Sequence, residues 1–429
     1  MPSPKWYKLD YSSDIYPMSE TQTTMSIFRM SVEMRSFVDG ENLTMALRDI
    51  MPRFPTFAVM LRKGFFRYYF EHNDNLPNAF PDDGICMRKI DLNRSNGFLF
   101  RVQYYKKKIS VDLFHGLCDG TGAIEFLKAL VYRYLEICGE SLPDHEDIKI
   151  VGQAVREEEL EDSISKYYKG FDIFGGVVGK MAGKNCYGIK GKRFKSLGYG
   201  VIQGFIKSEE LLSLARSKGV SVTALIAGLA LYAIAKVYVK DTENVDLVAM
   251  IPINLRKFFP SETVRNFTTL TKCYINTKET PIDLDEYVKI CQKDIKEGVS
   301  NKDELSEKIA VSALMATNKF LKYVPVFLKE FGTKVGKLGT SKTKQTLIIS
   351  NVGVIKMPKC METFVNRIAF NVNPSKKVPV NIGVCSYNDI TSICFTRNIV
   401  STEFERVFFT TLAQLGLEVE ITSNLREMK

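Results

Sequence analysis

The stretch Leu113–Gly122, LFHGLCDGTG, sets an imidazole, a carboxylate and three glycines within ten residues. His115 ends an apolar alternating run, KISVDLFH, so the backbone of a strand would hold it in place. A general base must be neutral at working pH and fixed within hydrogen-bonding reach of the proton it takes. An imidazole, with an ordinary pKa of ~6.5, meets the first condition. Gly116, Gly120 and Gly122 allow tight turning and close approach by a substrate. Two readings fit His115, a catalytic base or a turn residue. Asp119, four positions on, also has two. It either caps a helix that starts near Thr121, or forms a buried ion pair that keeps the turn in shape.

The chain has three histidines, and the other two sit in polar turns, His72 in YFEHNDNLPN and His145 in LPDHEDIK. No G-x-S-x-G, no H-E-x-x-H and no histidine cluster occurs, so neither that serine chemistry nor a metal site is expected. Gly179-Lys180 and Gly183-Lys184 resemble the tail of a phosphate loop, but Phe174 and Val178 stand where its first glycine is required.

The elements that must position these residues alternate between sheet and helix patterns. Met25–Met34 has period two, and Glu41–Phe54 carries Leu43, Ala46, Leu47 and Ile50 on one helical face, with Pro52 stopping it. FLFRVQYY and KISVDLFH predict a hairpin around Lys106 to Lys108. Gly122–Gly139 reads as a helix, so the histidine motif lies in a strand-to-helix connection. Between about Ser141 and Ser196 an acidic piece and a glycine-rich basic piece read as a crossover or loop between halves. Beyond it, strands are expected at GYGVIQGFI, VDLVAMIPINL, LTKCYIN, TLIISNVG, IAFNVN, VPVNIGVCSY and ITSICFTRN, with helices at SEELLSLARSKG and TEFERVFFTTLAQLGLE. The expected division is 1–175 and 176–429, with a segment near 345–375 crossing to the first half.

Composition places further bounds. A hydrophobic share of 45% against 25% charged residues supports a buried core rather than disorder. Nine scattered cysteines without a C-x-x-C pair suit a reducing compartment, and MPSPKWYKLDYSSDIYP lacks a signal peptide's apolar core, so a cytoplasmic location is expected. Gly219–Ala235 has 17 residues without charge, short of the ~20 a membrane span needs, and a helix buried on all sides fits it better. The net charge of +10 is partly local: Ile173–Ser208 holds seven basic residues and no acid, and Ala316–Lys344 seven lysines against Glu330. Such patches attract phosphates, acidic proteins or anionic membrane, or are simply solvated faces. Lys319–Lys337 mixes lysines with Phe320, Leu321, Phe327, Leu328 and Phe331. A weak peripheral membrane contact fits that mixture, but Pro325 interrupts the helix and a core-facing stripe is the expectation.

Three stretches in order carry a resemblance. FHGLCDGTG resembles the H-x-x-x-D-G motif of the acyltransferase superfamily of chloramphenicol acetyltransferase, peptide-synthetase condensation domains and plant alcohol acyltransferases. MIPINLRKFFPSETVRNFTTL looks like that superfamily's P-x-(N/D)-x-R segment followed by R-N-F. LIISNVGVIKMP looks like the Ser-Asn-(Val/Leu)-Gly strand of its alcohol acetyltransferase and wax-ester branches. The likeness spans the chain and is nearest in flavour to bacterial alcohol acetyltransferase-like proteins. It implies an α+β fold, a mixed α/β sandwich of two chloramphenicol-acetyltransferase-like subdomains forming a pseudo-dimer around a central channel. His115 would take the proton from an acceptor hydroxyl or amine as it attacks a thioester, with no covalent intermediate. Asp119 would pair with Arg256. Gly120, Asn266 and Phe267 would line the channel. Ser350 and Asn351 would either stabilise the oxyanion or form a turn or bulge at a strand end. Lys184, Lys192 and Arg193 would contact donor phosphates. No permanent cofactor is implied. The co-substrate would be an acyl-CoA or an acyl carrier protein and the acceptor a small or lipid-like alcohol. A monomer without nucleic-acid partners is expected. There are departures: Phe114 replaces the first histidine of condensation domains, the plant D-F-G-W-G stretch is absent, and FDIFGG at Phe171–Gly176 is out of place for it.

Overall fold

Alternating apolar residues bring the first long strands together. Ile27–Met34 lies antiparallel to Lys108–Phe114, which runs back against Phe100–Tyr105, and Lys106 in the turn between them is left-handed (φ 52°). The computed structural model describes residues 6–20, 25–143, 147–168, 186–195, 198–240, 243–313, 322–339 and 344–424. Its five-stranded sheet runs Val365–Val372, Ile27–Met34, Lys108–Phe114, Phe100–Tyr105, Ala79–Pro81. Helices Gly40–Ile50 and Gly120–Ile137 pack together, and Leu43, Ala46, Leu47 and Ile50 share one core with Met30, Val102 and Val111. A small sheet of Trp6–Lys8, Tyr68–His72 and Val59–Lys63 adjoins it.

The second half is a seven-stranded sheet in the order Thr268–Asn276, Asp246–Asn254, Leu347–Val354, Val380–Tyr387, Ile390–Arg397, Gly200–Lys207, Glu420–Ser423. Leu347–Val354 is parallel to both neighbours and the remaining pairs are antiparallel. Helices Val222–Tyr238, Leu284–Ser300 and Glu403–Gln414 cover it and form a second core. Ser221 caps the first of these by accepting from the Ala224 N–H, and most of Ala224–Ala235 is buried. Gly228 lets that helix meet the backbone of Val288 closely; a Cβ there would clash. No single helix among the described residues is long and apolar enough to cross a membrane.

The fold is therefore a mixed α/β arrangement of two sheet-and-helix halves. Val365–Val372, late in the chain, is built into the first sheet, paired from Val365↔Met34 to Val372↔Phe28. Between the halves lies a cavity of about 300 Å³, lined by Arg29, Lys108, Gln203, Arg367 and Asn371 among others. His115 is not among its lining residues.

One element is added and one expectation is corrected. Leu284–Ser300, with Tyr287, Val288 and Cys291 buried, is a capped amphipathic helix that the sequence reading passed over. The core-facing stripe assigned to Lys319–Lys337 is turned outward where it is described. Val326 is buried, but Phe327, Leu328 and Phe331 are exposed. The reason is polar: Lys329 and Glu330 point inward, to the Phe66 carbonyl and to Lys63 and Tyr68. Phe320 and Leu321 lie outside the described residues.

Candidate active site

His115 directly follows the strand Lys108–Phe114 and donates its backbone N–H to Ser26 O at 2.8 Å. From Val111 to Asp119 it is the one residue that keeps partial solvent exposure. Tyr16 stacks on the imidazole, with centroids 4.6 Å apart and planes 14° apart, and Phe28 meets it edge-on at 5.1 Å. These two rings fix the imidazole's plane.

Buried Asn266 fixes which nitrogen carries the proton. Its Nδ2 lies 2.9 Å from His115 O, 3.1 Å from Asp10 Oδ2 and 3.0 Å from Ser13 Oγ. A carbonyl and a carboxylate oxygen only accept, so the amide edge facing them must be the NH₂. Oδ1 is thus the atom 3.2 Å from His115 Nδ1, and it too only accepts. Nδ1 therefore bears the hydrogen, which leaves the Nε2 lone pair free. Burial pushes the imidazole pKa below its ordinary value, opposed by its own backbone hydrogen bond, by Asp119 and by Asn266. The ring is neutral near pH 7.

Asp119 performs both functions that its position allows. Oδ1 accepts from the Thr121 and Gly122 N–H groups (3.0 and 3.2 Å), capping helix Gly120–Ile137. Oδ2 accepts from Arg256 Nη1 at 2.7 Å and from the Phe267 N–H at 2.9 Å. Arg256 also donates to the carbonyls of Thr263 and Arg265, so one guanidinium closes the 254–267 loop onto the helix start. Gly122 is required there, because a Cβ would run into Val264 O. Cys118 is no competing nucleophile: burial, then the Asp119 charge, push its thiol far up.

The remaining expected site residues divide. Gly120 meets Val352, which brings the end of strand Leu347–Val354 to the motif. On that strand Ser350 and Asn351 are half-buried, and the Asn351 amide donates to Thr223 Oγ1 at 3.0 Å. No hydrogen bond ties either to His115. Phe267 does not line a channel. Its side chain is fully buried in the apolar cluster of Phe259, Leu305 and Ile309, where Tyr167 stacks on the ring at 5.7 Å. Arg193 is held at Asn398 and Lys376 O, with Lys192 beside it, and neither is brought to His115. Lys184 and His145 lie outside the described residues. His72 is in the small sheet, 3.2 Å from Asp74.

The sequence reading missed the N-terminal segment KLDYSSDIYP, which holds half of the shell around His115. Asp10 is fully buried, accepts from the Asn266 N–H and Nδ2, and pairs with Arg265 at 2.5 Å. Tyr16 comes from the short helix Ile15–Ser19. Two acids and two tyrosines in a segment with no periodicity were the only signal.

No protein-family model and no curated protein matches the chain by sequence. Solved structures do match its fold. Trichothecene 15-O-acetyltransferase TRI3 from Fusarium sporotrichioides superposes with TM-score 0.59 at 10% identity, covering 95% of this chain and 93% of that one. TRI101 of F. graminearum, complexed with coenzyme A and T-2 mycotoxin, gives 0.62 at 9% identity, covering 96% and 99%. The first condensation domain of the calcium-dependent antibiotic synthetase, in complex with a substrate analogue, gives 0.61 at 11%, covering 97% and 100%. The chain has the condensation-domain fold of two chloramphenicol-acetyltransferase-like halves.

Proposed function

We propose that the protein is an acyltransferase that moves an acyl group from a thioester to a hydroxyl, with His115 as general base. The observation that carries this reading is the imidazole itself: neutral, partly exposed, clamped between Tyr16 and Phe28, with Nδ1–H given to Asn266 and Nε2 free. Nε2 takes the hydroxyl proton as the oxygen attacks the thioester carbonyl. The tetrahedral intermediate then expels the thiolate, which recovers the proton from the imidazolium. No covalent enzyme intermediate is needed. Base catalysis of this kind commonly contributes ~10² to 10⁴ in rate.

Asp119 and Arg256 serve as structural parts, holding the helix start and the Asn266 loop in register with His115. The structural neighbours include an O-acetyltransferase and a coenzyme A complex, which support acyl-CoA as the donor. The condensation-domain neighbour supports an acylated carrier protein as the alternative. Acetyl-CoA with simple alcohols should release free thiol, and His115→Ala should remove that release. Full turnover by the variant would rule out the assigned base. Side-by-side assay with acyl-CoA and acylated carrier protein separates the two donors.

A further inference from the structure

The start of the helix Val326–Gly339, residues 326–332, is built inside out for a water-facing surface. Its Lys329 donates inward to Phe66 O at 2.8 Å and its Glu330 pairs inward with Lys63 at 2.8 Å. Phe327, Leu328 and Phe331 face solvent, at 56%, 48% and 67% exposure. A second element joins them. The hairpin between Val59–Lys63 and Tyr68–His72 carries Phe65 and Phe66 at its tip, and Val326 N–H binds Phe65 O at 2.8 Å. Phe66 meets exposed Tyr323 edge-on at 6.3 Å. Cations lie beside the rings: Lys63 and Arg67 flank the tip, and Lys322 lies over Tyr323.

We propose that this face docks the protein on an anionic lipid bilayer. Exposed Phe and Leu bordered by lysines are what an interfacial segment needs: the rings enter the headgroup and acyl boundary while the amines meet lipid phosphates. A partner helix would instead need a groove, and these residues crown a hairpin turn and an outer helix face. The patch also borders the candidate site. Helix Ile15–Ser19 packs against Val326–Gly339, exposes Ile15 and stacks Tyr16 on His115. If the acyl-transfer reading holds, a membrane-resident alcohol reaches the imidazole from this side.

The full chain tests this by co-sedimentation with phosphatidylcholine vesicles with and without phosphatidylglycerol. Binding should appear with the anionic lipid, weaken as salt rises, and fall ~10-fold or more in the triple variant Phe65→Ser, Phe66→Ser, Phe331→Ser. Phe37→Ser, an exposed ring elsewhere, should change nothing. Absence of vesicle binding, or equal loss in the control, overturns the docking. Binding of an acidic carrier protein in place of vesicles, lost in the triple variant, overturns it in favour of a protein partner. The triple variant should keep thiol release with a water-soluble alcohol and lose it with a long-chain alcohol held in vesicles. Equal rates on both overturn the delivery route. Lack of thiol release by every form would refute the acyl-transfer reading alone and leave the vesicle result standing.

Discussion

The reactivity assigned to His115 depends on its surroundings more than on its motif. Burial lowers its pKa, so the base form persists to a lower pH than an ordinary histidine would allow. Because the active form is the unprotonated one, kcat/KM should fall on acidification with a midpoint below ~6.5 and stay level from there through neutrality. A midpoint at or above the ordinary histidine range would count against this site. Asn266 acts on the reaction only through the imidazole, as a positioning residue. Asn266→Ala frees Nδ1 to lose its proton to the other tautomer, and should cost kcat ~10-fold or more with KM nearly unchanged. A thermal melt of the same variant separates that effect from loss of fold. The spacing of His115 and Asp119 was legible because strand end, glycines and helix cap follow one another in the chain. Asp10, Ser13 and Tyr16 were not, since they reach the site from about a hundred residues away or more, through polar and stacking contacts that leave no period in the sequence.

Among the elements, the start of helix Gly120–Ile137 is the joint on which the site turns. Asp119 uses one oxygen for the cap and the other for Arg256, and the two roles can be separated by substitution. Asp119→Ala removes both, and breaking a buried pair costs ~3–5 kcal/mol, with ~1 kcal/mol more for the cap. Asn caps as well as Asp, so Asp119→Asn should recover the ~1 kcal/mol and none of the pairing. Urea unfolding of the three proteins checks that order. Gly122→Ala should also destabilise, by the ~1–3 kcal/mol usual for overpacking, because the obstruction is the Val264 backbone rather than a side chain. The legible elements were those whose apolar residues bury one face, such as Gly40–Ile50 and the hairpin at Lys106. The outward-facing start of helix Val326–Gly339 defeated the same rule. Its spacing is that of a buried stripe, and only the inward hydrogen bonds of Lys329 and Glu330 reveal which side faces water.

At the scale of the whole molecule, the two halves are joined by polar contacts and one shared strand. Asp112 receives Arg29 at 2.6 Å and Arg101 at 2.5 Å; burial alone would raise its pKa, and the two guanidiniums hold it below the usual carboxylate range. This network faces the second half, where Gln203 lines the same cavity and donates to Asn371, the cross-strand neighbour of Arg29 in the first sheet, at 3.3 Å. The stronger tie is Val365–Val372. It completes the edge of the first sheet and gives Val365, Ile368 and Phe370 to its core. A fragment ending at residue 195 lacks that strand, so Ile27–Met34 becomes an open edge with apolar residues beneath it, and open edges of this kind pair with other chains. Expressed alone, residues 1–195 should aggregate. Co-expression with residues 198–429 should return a soluble pair, because the missing strand then comes back in register. Size-exclusion chromatography of the two preparations decides it. A soluble, monomeric 1–195 fragment would mean that the first half completes its own sheet, and that the late strand adds contact without being required for the fold.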